Sequence, residues 1–152
     1  MDPAELSSHC DEVRRAGATI VFTNGVYDLL HPGHVHCLEE AGRLGSHLIV
    51  ALNSDASVRR IKGDRRPIVS LKERLEVLSA FSPVRTVTWF EEDTPEKIIQ
   101  LARPDVLIKG GDWSTDNIVG KEFVESYGGK VISIPFLPGY STSGMIEKIV
   151  KS

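Results

Sequence analysis

The sequence predicts an α/β fold, in which a single domain is built on a Rossmann-like, doubly wound sheet of about five parallel strands. Two observations lead to this prediction. Short apolar segments alternate with helical segments, and the apolar segments are almost continuously hydrophobic. Parallel strands that are covered on both faces have such a composition. The strands are expected at residues 19–23, 47–52, 86–90, 106–108 and 130–134.

Helices are expected between these strands, because the intervening segments have helical spacing and recognisable ends. Ser70 and Glu73 have the spacing of a capping box and predict a helix beginning there. Thr94 and Pro95 are expected as the cap and first residue of another helix. Right-handed crossovers then place helices on both faces of the sheet. The remaining helices are expected at 3–16, 33–44, 95–102, 121–127 and 143–150.

The composition is that of an ordinary globular domain. The chain has 152 residues, of which 41% are hydrophobic and 26% charged, and this excludes a disordered or collagen-like protein. We therefore expect one domain over residues 1–152. The net charge of −3 argues against a general nucleic-acid partner. Cys10 and Cys37 form no metal or redox motif and are expected to be free thiols.

The chain also lacks the sequence features of export or membrane insertion. Its first residues have neither the basic nor the apolar region of a signal peptide. No apolar run approaches the roughly 18 residues that a spanning helix needs. We expect a cytoplasmic protein without a membrane partner.

The segment after the first predicted strand carries the strongest functional signal. His31 and His34 flank a Pro-Gly turn that begins a helix, and Gly25 upstream permits close backbone approach. The free N–H groups and dipole of a helix N-terminus favour an anion, and they disfavour an imidazolium. Two surface histidines or a metal pair are alternatives, but the sequence offers no obvious third ligand. The arrangement favours an anion site.

The run from Thr23 to His34, T-N-G-x-x-D-x-x-H-x-G-H, resembles the signature of the nucleotidyltransferase superfamily that includes the cytidylyltransferases and pantetheine-phosphate adenylyltransferase. The resemblance implies that both histidines contact a triphosphate and stabilise the transition state. It also implies phosphate binding by a Ser/Thr-rich helix start, here Ser141, Thr142 and Ser143, although ordinary capping explains those residues as well. The same signature implies a catalytic Thr23 and nucleotide-binding Asn24, Gly25 and Gly33.

Further segments resemble one particular group within this superfamily. Residues 53–55, 62–67, 91–95 and 109–113 are similar to the adenylyltransferase domain of ADP-heptose synthases, and the similarity runs from about residue 19 to the end. This implies AMP transfer from ATP to D-glycero-β-D-manno-heptose 1-phosphate for lipopolysaccharide biosynthesis. It also implies Mg²⁺ carried with ATP and a homodimer or higher homo-oligomer. In many bacteria this domain is fused behind a sugar kinase, and at 152 residues the chain is expected to be the stand-alone form.

A basic segment, residues 59–66, stands out in this acidic chain. A solvated face and a nucleic-acid patch are two interpretations. We favour a mobile loop that brings cations onto the phosphates, with Lys62 in the direct role. By resemblance to related enzymes, Arg74 reaches the nucleotide phosphates; an exposed helix arginine is the alternative.

The segment after the fourth predicted strand completes the expected site. Lys109 and Gly110 are expected beside the nucleotide, because glycines directly after a strand let backbone amides approach a ligand. Trp113 either stacks on a base or packs in the core. Asp28 and Asp112 are expected to bind substrate, and an acceptor sugar, a ribose hydroxyl and hydrated Mg²⁺ all remain open as their partner.

Three other functions compete with this interpretation. A cytidylyltransferase acting on a small alcohol phosphate, such as glycerol 3-phosphate, would use the same histidines and the same Ser/Thr helix. A catalytically silent nucleotide-binding module is a second alternative, which the complete set of candidate residues disfavours. An NAD-dependent dehydrogenase would share the fold, but the chain lacks G-x-G-x-x-G after its first strand.

Overall fold

The computed structural model describes residues 1–111 and 115–152. Its five strands form one sheet in the order β3-β2-β1-β4-β5, and every neighbouring pair is parallel. The chain order reverses between β1 and β4, which confirms the predicted doubly wound topology. The strands are β1 (Ile20–Gly25), β2 (His47–Asn53), β3 (Val84–Phe90), β4 (Val106–Gly110) and β5 (Lys130–Ile134).

Seven α-helices occur in the described part of the chain, and short 3₁₀ turns at Pro3–Glu5 and Thr115–Asn117 accompany them. The capping box of Ser70 and Glu73 is present at the start of the fourth helix, as the sequence predicts. The helices are α1 (Leu6–Arg15), α2 (Pro32–Gly42), α3 (Asp55–Lys62), α4 (Leu71–Ser79), α5 (Glu96–Ala102), α6 (Lys121–Ser126) and α7 (Thr142–Lys151).

Two apolar cores lie on opposite faces of the sheet. Phe22 of β1 belongs to the core that contains buried residues of α1, α5 and α6. Its neighbour Val21 belongs to the other core, with buried residues of α2 and α4. Successive side chains of a strand point to opposite faces, so an uninterrupted apolar strand fills both cores. The near-continuous hydrophobicity of the strands follows from this arrangement.

The structure differs from the prediction in the basic segment. Arg59, Arg60 and Lys62 lie on helix α3, so the predicted mobile loop over 59–66 is wrong for these residues. Ser54 caps the helix by accepting a hydrogen bond from the backbone N–H of Ser57 at 3.1 Å. The sequence carried this signal, since a serine cap, an acidic first turn and a basic last turn are typical of a short helix.

Smaller differences occur elsewhere. Helix α5 begins after Pro95, whose position at the cap has no side-chain hydrogen bond, so the prediction of Thr94 as the cap is wrong by one residue. Both cysteines are free, as expected, with Cys10 buried and Cys37 half-buried. In the described ranges, no helix is long and apolar enough to cross a membrane.

Arg74 is a buried charge that connects four segments of the chain. Its guanidinium donates to the carbonyl oxygens of Val26 and Asn53, at 2.7 and 2.9 Å, and to that of Val69 at 3.0 Å. It also pairs with the Asp55 carboxylate at 2.7 Å, and its own side chain has no exposed surface. Four of the five N–H groups of the guanidinium thus bond inside the protein, and the contact between Arg74 and nucleotide phosphates stays a prediction.

Arg74→Leu should lower the free energy of unfolding by about 3–5 kcal/mol, since it leaves the partners of a buried charge unpaired. Denaturant unfolding followed by circular dichroism measures this. The matched control is Lys72→Ala, an exposed position on the same helix, which should change stability by less than about 0.5 kcal/mol. Equal stabilities of the two variants would contradict the structural role of Arg74.

Candidate active site

The loop between β1 and α2 ends in an unusual cap made by two histidines. His31 is the N-cap of α2, and its Nδ1 accepts a hydrogen bond from the backbone N–H of Gly33 at 3.1 Å. His34 reaches back, and its Nδ1 accepts from the backbone N–H of His31 at 3.3 Å. The two rings lie 3.9 Å apart between centroids. The structure thus brings the two predicted catalytic histidines together as a reciprocal capping box.

These hydrogen bonds fix the tautomer of both rings. A nitrogen that accepts a backbone N–H carries a lone pair, so the proton of each neutral imidazole resides on Nε2. Each ring is therefore a hydrogen-bond donor through Nε2–H. Protonating Nδ1 would break the cap, so the local geometry favours neutral histidines.

The electrostatics of the site act in the same direction. Burial, followed by the neighbouring His31, lowers the pKa of His34 to about 4. Burial also lowers the pKa of His31. Both rings are consequently neutral at physiological pH, and they present N–H dipoles rather than full charges to a ligand.

Close packing around the pair explains the glycines of the motif. A Cβ on Gly33 would lie 2.8 Å from Cε1 of His31, so a side chain at 33 would displace the His31 ring. A Cβ on Gly25 would lie 2.9 Å from Cε2 of Tyr27. Any residue larger than glycine would force the loop to move at either position.

Tyr27 is a site residue that sequence reasoning missed. Its backbone has a φ of 51°, in the left-handed region, which turns the ring inward. The ring is buried and lies 5.2 Å from that of His34. Thr23 is buried at 1% exposure, so the structure places its side chain beneath the loop instead of facing solvent. Nothing in the local sequence distinguishes this tyrosine from a packing residue.

The start of α7 lies against the histidine loop. Ser141 caps this helix by accepting from the backbone N–H of Gly144 at 3.0 Å, and Thr142 donates to the carbonyl oxygen of Leu29 at 2.9 Å. The ring of Tyr140 stacks on that of His31, with 6.2 Å between centroids. Ser143 is exposed in the first turn. Two helix N-termini therefore meet at one place, and both favour negative charge there.

The positive charges of two lysines interact across the carboxyl ends of the strands. Lys62 ends α3, which follows β2, and Lys109 lies on β4, on the other side of β1. Burial and then the positive charge of Lys62 lower the pKa of Lys109. An anionic ligand bound between the two ammonium groups would offset their repulsion.

The predicted nucleotide-binding residues of β1 and β4 also lie together. Asn24 and Lys109 line one cavity of about 120 Å³, on the face of the sheet that packs against α5. Gly110 faces the opposite layer, where an added Cβ would lie 3.3 Å from Sγ of Cys37. The carboxyl ends of β1 and β4 thus place predicted site residues on both faces of the sheet.

Asp28 is buried and bonded within the protein, and its predicted contact with a substrate stays a prediction. Its carboxylate accepts from the backbone N–H groups of Ile68 and Val69, at 2.9 and 2.8 Å, and pairs with Arg66 at 2.6 Å. Burial raises the pKa of Asp28, but these hydrogen bonds and the Arg66 charge outweigh burial, so the net pKa is lowered. The carboxylate fastens the segment before α4 to the histidine loop.

The remaining predictions concern the segment after β4 and the binding of a metal ion. Asp112 and Trp113 lie outside the described residues. Across residues 1–111 and 115–152, no group of three histidine, cysteine, aspartate or glutamate side chains is arranged to hold a metal ion.

Comparison with known proteins is consistent with this geometry. Residues 22–146 match the model of the Cytidylyltransferase-like family, over most of the chain. The chain belongs to this family. The matched region begins in β1 and ends in α7, so it includes both helix N-termini that form the candidate site.

Relatives with a more specific description cover nearly the whole chain. The Bifunctional protein HldE of Hahella chejuensis is 48% identical over 99% of this chain, and that of Syntrophotalea carbinolica is 53% identical over 90%. The matches span 32% and 28% of those two proteins, so this chain corresponds to about a third of their length.

A solved structure is similar over its full length. The lipopolysaccharide core biosynthesis protein from Thermoplasma volcanium superposes with a TM-score of 0.68 and is 29% identical. The match covers 80% of this chain and 99% of that protein.

The histidine cap predicts a specific titration. The pKa of His34 should lie near 4 and that of His31 below its ordinary value, both in the free protein. Because the folded-state pKa lies below the unfolded one, stability from this pair is present above about pH 6.5 and is lost as the pH falls towards 4. Nitrogen chemical shifts of the labelled histidines measure both values and the tautomers. A His34 pKa at or above 6.5, or protonated Nδ1 atoms at pH 7, would contradict the cap.

Proposed function

We propose that this chain transfers AMP from MgATP to D-glycero-β-D-manno-heptose 1-phosphate, forming ADP-heptose and pyrophosphate for the lipopolysaccharide core. The observation that carries the proposal is the reciprocal cap of His31 and His34 at a helix N-terminus. The names of the HldE relatives and of the lipopolysaccharide core biosynthesis protein support this acceptor class. A cytoplasmic location and a homodimer or higher homo-oligomer stay predictions from the family resemblance.

The site suits a nucleophile that needs no base. The second pKa of a phosphate monoester is near 6, so the sugar phosphate is largely ionised at neutral pH. One of its oxygens attacks the α-phosphorus of ATP, the bond from that phosphorus to the bridging oxygen breaks, and pyrophosphate leaves with the electron pair. The protein's task is to hold two anions together and to stabilise the charge on the leaving group.

The described residues supply donors for that task. The Nε2–H groups of His31 and His34 and the first backbone N–H groups of α7 are the donors, because the N–H groups of His31 and Gly33 already bond to the two rings. Such fixed dipoles stabilise developing negative charge better than water does, because they are already oriented. Lys62 and Lys109 add two positive charges at the same edge of the sheet. Mg²⁺ enters with ATP and keeps part of its water shell.

A substrate panel tests the proposal. Pyrophosphate release should require Mg²⁺ and should be fastest with ATP and heptose 1-phosphate. CTP, GTP and UTP are the competing nucleotides, and glycerol 3-phosphate is the competing acceptor. Release with CTP and glycerol 3-phosphate would replace the proposal with a cytidylyltransferase. Nucleotide binding without any release would favour a silent module.

His34→Ala should lower turnover by a factor on the order of 10² or more while leaving the fold intact, since it removes a fixed donor from the leaving phosphates. Steady-state pyrophosphate release measures turnover, and circular dichroism verifies folding. His36→Ala is the matched control on the same helix and should retain near-normal turnover. Full activity of a folded His34→Ala variant would remove the histidine from the mechanism.

A further inference from the structure

Arg66 is a mostly covered cation that uses little of its hydrogen-bonding capacity inside the protein. Its Nε donates to Oδ2 of Asp28 at 2.6 Å, and 17% of its side chain is exposed. Within residues 1–111 and 115–152, neither Nη1 nor Nη2 donates a hydrogen bond. No buried side-chain nitrogen of these residues lacks a partner, so both Nη atoms reach the surface. A guanidinium has five N–H groups, and the four on Nη1 and Nη2 can therefore bind a ligand.

The comparison with Arg74 separates two kinds of arginine in this chain. Arg74 bonds inside the protein through all three of its nitrogens and has no exposed side-chain surface. Arg66 bonds through Nε alone, although arginine and carboxylate side chains frequently form two parallel N–H bonds. The pair with Asp28 thus does not use the edge of the guanidinium that Nη1 and Nη2 form together. Arg66 has the pattern of a residue that is held for a second contact.

Asp28 holds the Arg66 guanidinium in a fixed orientation. Its carboxylate has no exposed surface and accepts from the backbone N–H groups of Ile68 and Val69 at 2.9 and 2.8 Å. The backbone N–H of Arg66 itself donates to the carbonyl oxygen of Gly63 at 3.1 Å. Both the backbone and the Nε of Arg66 are therefore fixed before any ligand arrives. A planar guanidinium that is already oriented loses little conformational entropy when it binds.

This guanidinium lies beside the candidate active site. Asp28 precedes His31 by three residues, which span at most about 11 Å of extended chain. Lys62, at the end of α3, precedes Arg66 by four residues. Arg66 therefore belongs to the same edge of the sheet as the histidine cap. Its partner at that edge is an anion, because guanidinium N–H groups are donors only.

Two segments hold the histidine loop from opposite sides. Thr142 of α7 donates to the carbonyl oxygen of Leu29, whereas the adjacent Asp28 is held by residues 66–69. Helix α7 follows β5 and residues 66–69 follow β2, and these strands lie on opposite sides of β1. The attacking and leaving oxygens of a phosphoryl transfer lie roughly in line across the phosphorus. With the leaving pyrophosphate at the start of α7, the attacking phosphate approaches from the side of Arg66.

We propose that Nη1 and Nη2 of Arg66 bind the phosphate of the acceptor substrate, and that Asp28 is the positioning residue that orients Arg66. Two N–H groups on one edge of a guanidinium match two oxygens of a phosphate monoester, a contact that lysine cannot reproduce. The proposal rests on the proposed function for the identity of the acceptor. The group that Arg66 recognises is the phosphate monoester, whichever alcohol or sugar carries it.

Steady-state pyrophosphate release tests the role of Arg66. Arg66→Gln should raise the KM for the acceptor about tenfold or more, since it removes a charged hydrogen-bond donor, and should change the KM for ATP by less than about twofold. Arg66→Lys keeps a charge beside Asp28 and should raise the same KM without unfolding the chain. Arg85→Gln, at an exposed arginine near the amino end of β3, is the matched control and should change neither KM. An unchanged acceptor KM in folded Arg66→Gln and Arg66→Lys variants would overturn the proposal.

Asp28→Asn tests the positioning role. An amide keeps the size of the side chain and an acceptor for the backbone N–H groups but loses the charge that holds Arg66. The acceptor KM should rise while the KM for ATP stays within about twofold, and a merely structural role would not separate these two constants. A loss of thermal stability with both KM values unchanged would overturn the positioning role.

Binding without turnover distinguishes a failure of this proposal from a failure of the proposed function. Side-chain nitrogen signals of the arginine-labelled chain are recorded while heptose 1-phosphate or glycerol 3-phosphate is added, with and without a non-hydrolysable ATP analogue and Mg²⁺. The Arg66 signal, identified by its absence in Arg66→Lys, should shift and saturate with at least one of these phosphate monoesters. A response to glycerol 3-phosphate alone would support the role of Arg66 and contradict the heptose acceptor. No response to either, in a chain that releases pyrophosphate, would overturn the role of Arg66 alone.

Discussion

The buried guanidinium of Arg74 is the interaction on which the geometry of the active edge depends. It bonds to the chain just after β1 and at the end of β2, to the start of α3 and to the segment before α4. A charge without exposed surface is tolerable only when its donors are matched, so these four segments cannot move independently. The histidine loop and Lys62 both extend from segments that Arg74 holds.

A second charged cluster fixes the same loop from another direction. Asp28, three residues before His31, accepts hydrogen bonds from Ile68 and Val69 and pairs with Arg66. In the same loop, the ring of Tyr27 lies beside that of His34, and His31 caps α2. The histidine pair is therefore supported by buried polar bonds rather than by flexible side chains, which is the condition for electrostatic preorganisation.

The histidine cap combines a structural and a chemical role in the same atoms. Nδ1 of each ring satisfies a helix N-terminal N–H, and this leaves Nε2–H as the donor for a ligand. The helix dipole, burial and ring proximity all disfavour the protonated form. A neutral pair avoids placing a full positive charge at the positive end of a helix. The anion then receives several oriented dipoles instead.

Much of this could be predicted from the sequence, and the exceptions have a common reason. The strands, the Ser70–Glu73 capping box and the histidine pair depend on local patterns, namely periodicity, capping and a short motif. The roles of Arg74 and Asp28 depend on partners up to 48 residues away, and no local pattern distinguishes a buried arginine from an exposed one. The sequence prediction lacks helix α3, because the basic residues of its last turn suggested a loop although the sequence also contains a serine cap. The ring of Tyr27 lies beside that of His34 because the backbone of Tyr27 has a positive φ. At a residue other than glycine, the sequence seldom indicates such a backbone conformation.

The central claim is that the N-termini of α2 and α7 form a single triphosphate site. Backbone amide chemical shifts, recorded while a non-hydrolysable ATP analogue and Mg²⁺ are added, test it most directly. The account predicts that the largest changes occur together at Gly33 and His34 of α2 and at Ser143 and Gly144 of α7, with one common affinity. Changes at only one of the two helix starts, or two different affinities, would contradict it.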